Sequence, residues 1–286
     1  MITGKTKLLG VIGSPIAHSL SPVMHNAAIA HLGVDYAYLP FLVQPDSLKQ
    51  AIDGFAAIGL QGFSITIPHK QAIIPLLAGI DPIAKTIGAV NTVWRTETGW
   101  HGTNTDVAGF LHPLKALKRD WSQTTVVLLG NGGAARAVVV GCVQLGCAAI
   151  HVIGRDAQKL EAFARSWVGL PIAKVHVHTW QQLPALLPQA GLLVNTTPIG
   201  MSSHEARSPL SPQETDCLAP NVVAYDLIYT PSPTVFLQQA TARGAIAIDG
   251  LEMLLHQGAA ALEIWLQQPA PVDVMRRSLQ QQLGIA

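Results

Sequence analysis

The chain has 286 residues, 49% of them hydrophobic and 12% charged, with a formal net charge of +1. Such a length suits two domains, the apolar content argues against disorder, and the near-zero charge gives no electrostatic case for nucleic acid or an anionic membrane. Cys142, Cys147 and Cys217 form no C-x-x-C pair and read as small apolar residues of a reducing compartment. Neither a signal-peptide core nor an apolar run of bilayer length is visible, so a soluble cytoplasmic protein is expected.

Lys7 to Ile12 reads as a short strand, broken by Gly13-Ser14-Pro15. Ser21-Pro22 opens a helix to about Leu32, with Ser21 suited to the N-cap and Gly33 to the stop. Tyr36 to Val43 is strand-like, and Pro40 argues for a sheet edge. A helix capped by Asp46 or Ser47 runs through Ile58. Gly62 to Ile67 is a strand ended by Pro68, which leaves Lys70 at a strand-to-helix junction. Asp81-Pro82 starts another helix, and Ala89 to Arg95 with Gly99 to Thr103 form a hairpin. An apolar-striped segment with Phe110, Leu114 and Leu117 follows Asp106, and the domain crossover is placed there. Alternating strands and helices make this an α/β region.

Thr125 to Leu129 reads as a buried parallel strand feeding a glycine turn and a helix from Ala134 to Leu145. Gly130, Gly132 and Ala135 fit G-x-G-x-x-[GA] in its strand–turn–helix context. Gly130 permits the tight turn, Gly132 lets a pyrophosphate approach the backbone, and Ala135 lets helix and strand pack closely. Further strands are expected at Ala148 to Ile153, Ala173 to His178, Leu192 to Thr196, Val222 to Leu227 and Ala245 to Ile248. Helices are expected at Gln158 to Trp167 and Thr234 to Arg243. A long helix then runs from Asp249-Gly250 to about Gln267, and a last one from Val272 to Leu283. With no strand downstream, these two are expected to pack back on the first domain.

Singly, the polar residues of the first half are unspecific. Ser19 and Ser21 flank a turn at a helix start, where hydroxyls and free N–H groups suit a carboxylate, yet Ser21 alone reads equally as a plain cap. Lys70 could be a solvated surface lysine, and Asn91 or Asp106 turn residues. In blocks they are specific. GSPIAHSLSPVMHNAA (Gly13 to Ala28), FSITIPHK (Phe63 to Lys70), IGAVNTV (Ile87 to Val93), GTNTDVAGF (Gly102 to Phe110) and GNGGAARA (Gly130 to Ala137) stand in order. NTTPIGM (Asn195 to Met201), YDLIYTPSPTVFL (Tyr225 to Leu237) and DGLEMLLHQGA (Asp249 to Ala259) continue them. The sequence resembles the shikimate dehydrogenase family from end to end.

The resemblance implies an α/β substrate domain over 1–106 with 250–286, a Rossmann-type NADP-binding domain over 107–249, and a cleft and hinge between them. It implies NADPH-dependent reduction of 3-dehydroshikimate to shikimate, in the route to chorismate and the aromatic amino acids. Ser19 and Ser21, helped by Tyr229, would hold the substrate carboxylate. Thr66, Lys70, Asn91, Asp106 and Gln257 would hold the ring hydroxyls, with Lys70 and Asp106 the catalytic pair. A cationic ammonium beside a ketone oxygen stabilises the alkoxide that hydride delivery creates and can protonate it. The cofactor side would use Gly130, Asn131, Gly132, Gly133, Ala134 and Ala135. Arg155, Lys159, Thr196, Thr197, Pro198, Met201, Leu227 and Gly250 would complete it.

One departure concerns the cofactor. The family's NADP form usually carries Asn-Arg-Thr/Ser after the second Rossmann strand, where this chain has Gly154-Arg155-Asp156. Asp156 could repel a 2′-phosphate, as in an NAD-using quinate/shikimate dehydrogenase, or cap the next helix. Capping and NADP are the expectation. A non-catalytic regulator on the same fold could discard Lys70 or Asp106, and both are present. His176 and His178 share a strand face at a spacing compatible with a metal, but without Cys or carboxylate support they read as polar strand surface, so no metal is expected. The partners expected are the small-molecule substrate and, as an assembly, a homodimer.

Overall fold

A computed structural model describes residues 2–168, 175–201 and 204–285. The chain divides into two compact units, Met1–Gly109 with Leu254–Ala286, and Phe110–Met253. The first begins with β1 (Lys7–Gly13), α1 (Ser21–Leu32), β2 (Tyr36–Leu42), α2 (Leu48–Ala57) and β3 (Gly62–Ile65). It continues through α3 (His69–Ala72), β4 (Gly79–Ile80), α4 (Pro82–Ile87), β5 (Thr92–Thr96), β6 (Gly99–Thr103) and α5 (Asp106–Ala116). The sheet order is β2-β1-β3-β5-β6-β4. β1 lies parallel to β2 and β3, whereas β5 runs antiparallel to β3 and β6, so this sheet is mixed.

Local chemistry accounts for much of this. Pro40 stands in edge strand β2, where a missing N–H forfeits no inner ladder bond. Gly33 (φ 65°) and Gly88 (φ 67°) end α1 and α4 in the left-handed conformation. Asp81 caps α4 by accepting the Ala84 N–H at 2.7 Å. Two capping expectations fail. Leu20, with αR backbone, holds the N-cap position of α1, and Ser21 is its first helical residue with no capping bond. Ser47 precedes α2 after a 3₁₀ turn and likewise caps nothing. β3 stops at Ile65, two residues early, because the chain turns ahead of Pro68. β4 was not foreseen: two residues carry no readable period, and only its parallel pairing with β6 defines it.

The second unit contains β7 (Thr125–Leu129), α6 (Gly133–Gln144), β8 (Ala149–Gly154), α7 (Ala157–Arg165), β9 (Val175–Thr179) and α8 (Leu183–Leu186). β10 (Leu192–Asn195), α9 (Pro212–Asp216), β11 (Val223–Asp226), α10 (Val235–Ala242) and β12 (Ile246–Ile248) complete it. Ala173 and Lys174 of the expected β9 lie outside the described residues. The strand order β12-β11-β10-β7-β8-β9 is parallel throughout. Order reverses between β7 and β10, so the switch point of this doubly wound sheet falls at the end of β7. Val126 to Leu129, Leu192 to Val194 and Val223 to Tyr225 are fully or almost fully buried, which is why they read as unbroken apolar runs.

The chain re-enters the first unit within α11 (Leu251–Leu266) and ends in α12 (Val272–Leu283), which packs on α1. Trp265 of α11 donates its indole N–H to Val93 O at 2.9 Å and lies so close to Gly62 that no Cβ fits there. No helix among the described residues is long and apolar enough to cross a membrane.

Candidate active site

Lys70 stands in the first turn of α3 and Asp106 at the start of α5. Their side chains meet in an ion pair of 2.5 Å, the lysine 19% exposed and the aspartate 8%. The ammonium therefore keeps solvent access while the carboxylate is enclosed. Nζ has no other acceptor among the described residues, so it retains donors for a ligand. Asn91, buried just before β5, donates to the other carboxylate oxygen of Asp106 at 2.8 Å. Its own orientation is fixed, because Oδ1 accepts the Thr105 N–H at 2.8 Å and the Thr92 hydroxyl at 2.9 Å. Asn104 adds a strut, accepting the Asp106 N–H and donating to Ala89 O, both at 3.0 Å. From α11, Gln257 Oε1 lies 3.4 Å from Asn91 Nδ2. Lys70, Asn91, Asp106 and Gln257 thus form one connected network inside the first unit.

The hydroxyl group of the site is looser. Ser19 is half-buried, and its Oγ is 3.4 Å from the Ser21 N–H. Since Ser21 does not cap α1, its hydroxyl is not spent on the helix. Thr66 follows β3, its N–H donating to Ile12 O at 2.9 Å. Two residues escaped the sequence reading. Among the described residues the Tyr38 hydroxyl and Ser64 Oγ are buried without a hydrogen-bond partner, the tyrosine lying close to both Ser64 and Ser21. Burial pushes the Tyr38 phenol above its usual range. The available signal for Ser64 was strand period: it lies two residues before Thr66. His25 stacks on Tyr38 with centroids 4.2 Å apart, has no hydrogen-bond partner among the described residues, and is held down to about 3 by burial. Tyr229 belongs to the second unit, half-buried after β11, with burial raising its phenol.

In the second unit, Gly130 takes φ 102°, and a Cβ there would stand 2.7 Å from Thr196 Oγ1. Thr196 in turn donates its hydroxyl to Leu129 O at 2.7 Å, tying the loop after β10 to the glycine turn. Gly132 and Gly133 are different: a Cβ on either would meet open space. α6 starts at Gly133 without a side-chain cap, so its first N–H groups are unclaimed. Ala135 is fully buried, and Asn131 Nδ2 is buried without a partner among the described residues. Open space over uncapped N–H groups is what a pyrophosphate requires, and the residues present fit a dinucleotide.

The departure after β8 has a packing cause. A Cβ on Gly154 would come 2.9 Å from Leu160 Cδ2, so the leucine occupies the volume a side chain would need. Asp156 is the N-cap of α7, its Oδ1 accepting the Lys159 N–H at 3.1 Å, with Lys159 Nζ 3.9 Å from Oδ2. Arg155 is exposed, and no ion pair engages it among the described residues. The loop Thr197 to Met201 is shaped by Asn195, which accepts from Thr197 and donates to Asp226 Oδ1 at 3.0 Å. Asp226 also accepts the Thr234 hydroxyl at 2.7 Å, while burial, only partly offset by these bonds, raises its carboxyl to about 6. Gly250 lies against the Leu227 carbonyl so closely that only glycine fits.

A doubly wound sheet with an open glycine turn at its switch point, on a chain that also carries an enclosed lysine–aspartate pair, defines a dinucleotide-binding α/β protein equipped for proton transfer. A family model described as the shikimate dehydrogenase substrate binding domain matches residues 11–93, and one described as the shikimate 5′-dehydrogenase C-terminal domain matches 250–280. The chain is 65% identical to a shikimate dehydrogenase (NADP(+)) of Trichormus variabilis over 100% of both chains. Among solved structures, a shikimate dehydrogenase in complex with NADP+ is 37% identical, with TM-score 0.90, covering 99% of this chain and 98% of that one. Shikimate 5-dehydrogenase from Listeria monocytogenes, in complex with shikimate and NAD, is 34% identical, with TM-score 0.87 and coverage of 97% and 98%. The chain belongs to the shikimate dehydrogenase family.

Proposed function

We propose that this enzyme catalyses the reversible NADPH-dependent reduction of 3-dehydroshikimate to shikimate, in the cytoplasm and as a homodimer. The observation that carries the chemistry is the Lys70–Asp106 ion pair locked by Asn91. Residues 1–106 with 250–286 hold the substrate, and 107–249 hold the dinucleotide. Ser19 and Ser21 receive the substrate carboxylate with Tyr229, while Thr66, Asn91, Asp106 and Gln257 bind the ring hydroxyls. NADPH, when bound, supplies the hydride. Lys70 Nζ hydrogen-bonds the ketone oxygen, stabilises the negative charge growing on it and transfers a proton to it. Asp106 orients the ammonium, and Asn91 keeps Asp106 from turning away. Gly130, Asn131, Gly132, Gly133, Ala134 and Ala135 present backbone to the pyrophosphate. Arg155 and Lys159 face the 2′-phosphate. Thr196, Thr197, Pro198, Met201, Leu227 and Gly250 complete the cofactor site.

Initial rates with shikimate and quinate against NADP+ and NAD+ test this reading. The highest kcat/KM is expected for shikimate with NADP+. A higher value for quinate, or for NAD+, would replace it with an NAD-using quinate/shikimate dehydrogenase. Light scattering on an eluting column checks the dimer.

A further inference from the structure

Three imidazoles gather at the β8–β9 edge of the second sheet. His176 and His178 are two apart on edge strand β9 and so share a face. The parallel register pairs His151 with His176 and Ile153 with His178, which places His151 of β8 on that same face. The fold thus adds a third histidine that the sequence spacing could not reveal. Nδ1 of His151 lies 2.9 Å from Nε2 of His178, and the ring centroids are 5.0 Å apart. The His176 ring stacks on His151 at 5.3 Å.

A neutral imidazole carries one N–H and one lone pair, so the 2.9 Å contact holds a single proton between two basic nitrogens. When the donor ring carries its proton on its other nitrogen instead, both lone pairs face the gap and a cation can engage them. Tetrahedral zinc with Zn–N bonds of about 2.0–2.1 Å sets its ligand nitrogens roughly 3.4 Å apart, so this pair has to open by only about half an ångström. His176 is exposed and stacked on His151, so its ring has to leave the stack to complete the set. An all-imidazole donor set suits zinc, nickel or copper and does not suit magnesium or calcium, which require oxygen.

We propose that His151, His176 and His178 form a binding site for a first-row divalent transition ion, with zinc as its probe and water as the fourth ligand. A bound ion would tie edge strand β9 to β8 and stabilise the folded chain by mass action.

The test uses untagged, chelator-treated full-length protein, titrated with zinc chloride against a chromophoric zinc indicator and melted with and without zinc. One equivalent should bind in the micromolar range and raise Tm. His151→Gln, His176→Gln and His178→Gln should each weaken binding at least about tenfold. Circular dichroism and zinc-free melting show that each variant is folded. The absence of saturable binding to the parent protein overturns the proposal. So does unchanged affinity in any one folded variant, which would place the ion elsewhere, such as on the free thiol of Cys217.

Discussion

The two halves of the machinery are built on opposite plans. In the first unit, the proposed function rests on side chains: Lys70, Asp106, Asn91 and Gln257 come from α3, the start of α5, the loop before β5 and α11, and are joined by buried and part-buried hydrogen bonds. In the second, it rests on backbone: Gly132 and Gly133 leave space, and the start of α6 leaves N–H groups unclaimed. Proton transfer needs a donor fixed to a fraction of an ångström, which a satisfied network supplies. Holding a pyrophosphate needs several oriented dipoles and an unobstructed approach, which a helix terminus supplies.

The contrast breaks most sharply at Lys70. Lys70→Met should lower kcat about 10²–10⁴-fold, or about 3–5 kcal/mol of barrier, while dinucleotide affinity in a binding titration stays the same. A comparable loss of NADPH affinity would show that the two plans are not separable. Ser19→Ala comes next: losing a hydrogen bond to a charged carboxylate costs about 1.5–3 kcal/mol and should appear as a higher KM for shikimate with kcat little changed. An unchanged KM would remove Ser19 from the carboxylate.

On the other side, Arg155→Ala should weaken NADPH roughly tenfold and NADH hardly at all, because a guanidinium matches phosphate oxygens with paired donors. Equal losses would place Arg155 away from the 2′-phosphate. Asp156→Ser keeps a capping oxygen and should leave NADPH affinity equal or better, whereas Asp156→Ala should cost about 1 kcal/mol of stability.

Acid separates the regions as well. His25 is held down to about 3 from 6.5, so as pH falls the unfolded chain takes up this proton before the folded one does. Its contribution to stability is full above about pH 6.5 and shrinks towards pH 3, by up to about 1.4 kcal/mol per pH unit. His25→Phe keeps the stack on Tyr38 and should flatten denaturant-midpoint curves between those values. An unchanged slope would assign acid sensitivity to other groups.

Alternation of strands and helices, the glycine turn and most element positions were legible from sequence, because each is set by neighbours within a few residues. Apolar runs marked β7, β10 and β11, Gly33 closed its helix, and Asp156 capped α7 as its position suggested. Ser21 was legible as a helix-start residue but not as an uncapping one, since the choice between Leu20 and Ser21 depends on backbone angles of the preceding loop. β4 was invisible because its two residues are a strand only through β6.

By itself, then, the sequence determined the α/β class and the glycine turn, both encoded in local spacing, while the roles expected of Lys70 and Asp106 came from the family resemblance of the blocks that hold them. Only the tertiary structure decided that Asn91 locks Asp106 and that Leu160 occupies the room beside Gly154. It also placed the Tyr38 hydroxyl beside Ser64 and Ser21, and His151 beside His178. All but the Gly154–Leu160 contact join residues well separated along the chain, and sheet register and packing fix such pairs, which no local pattern specifies.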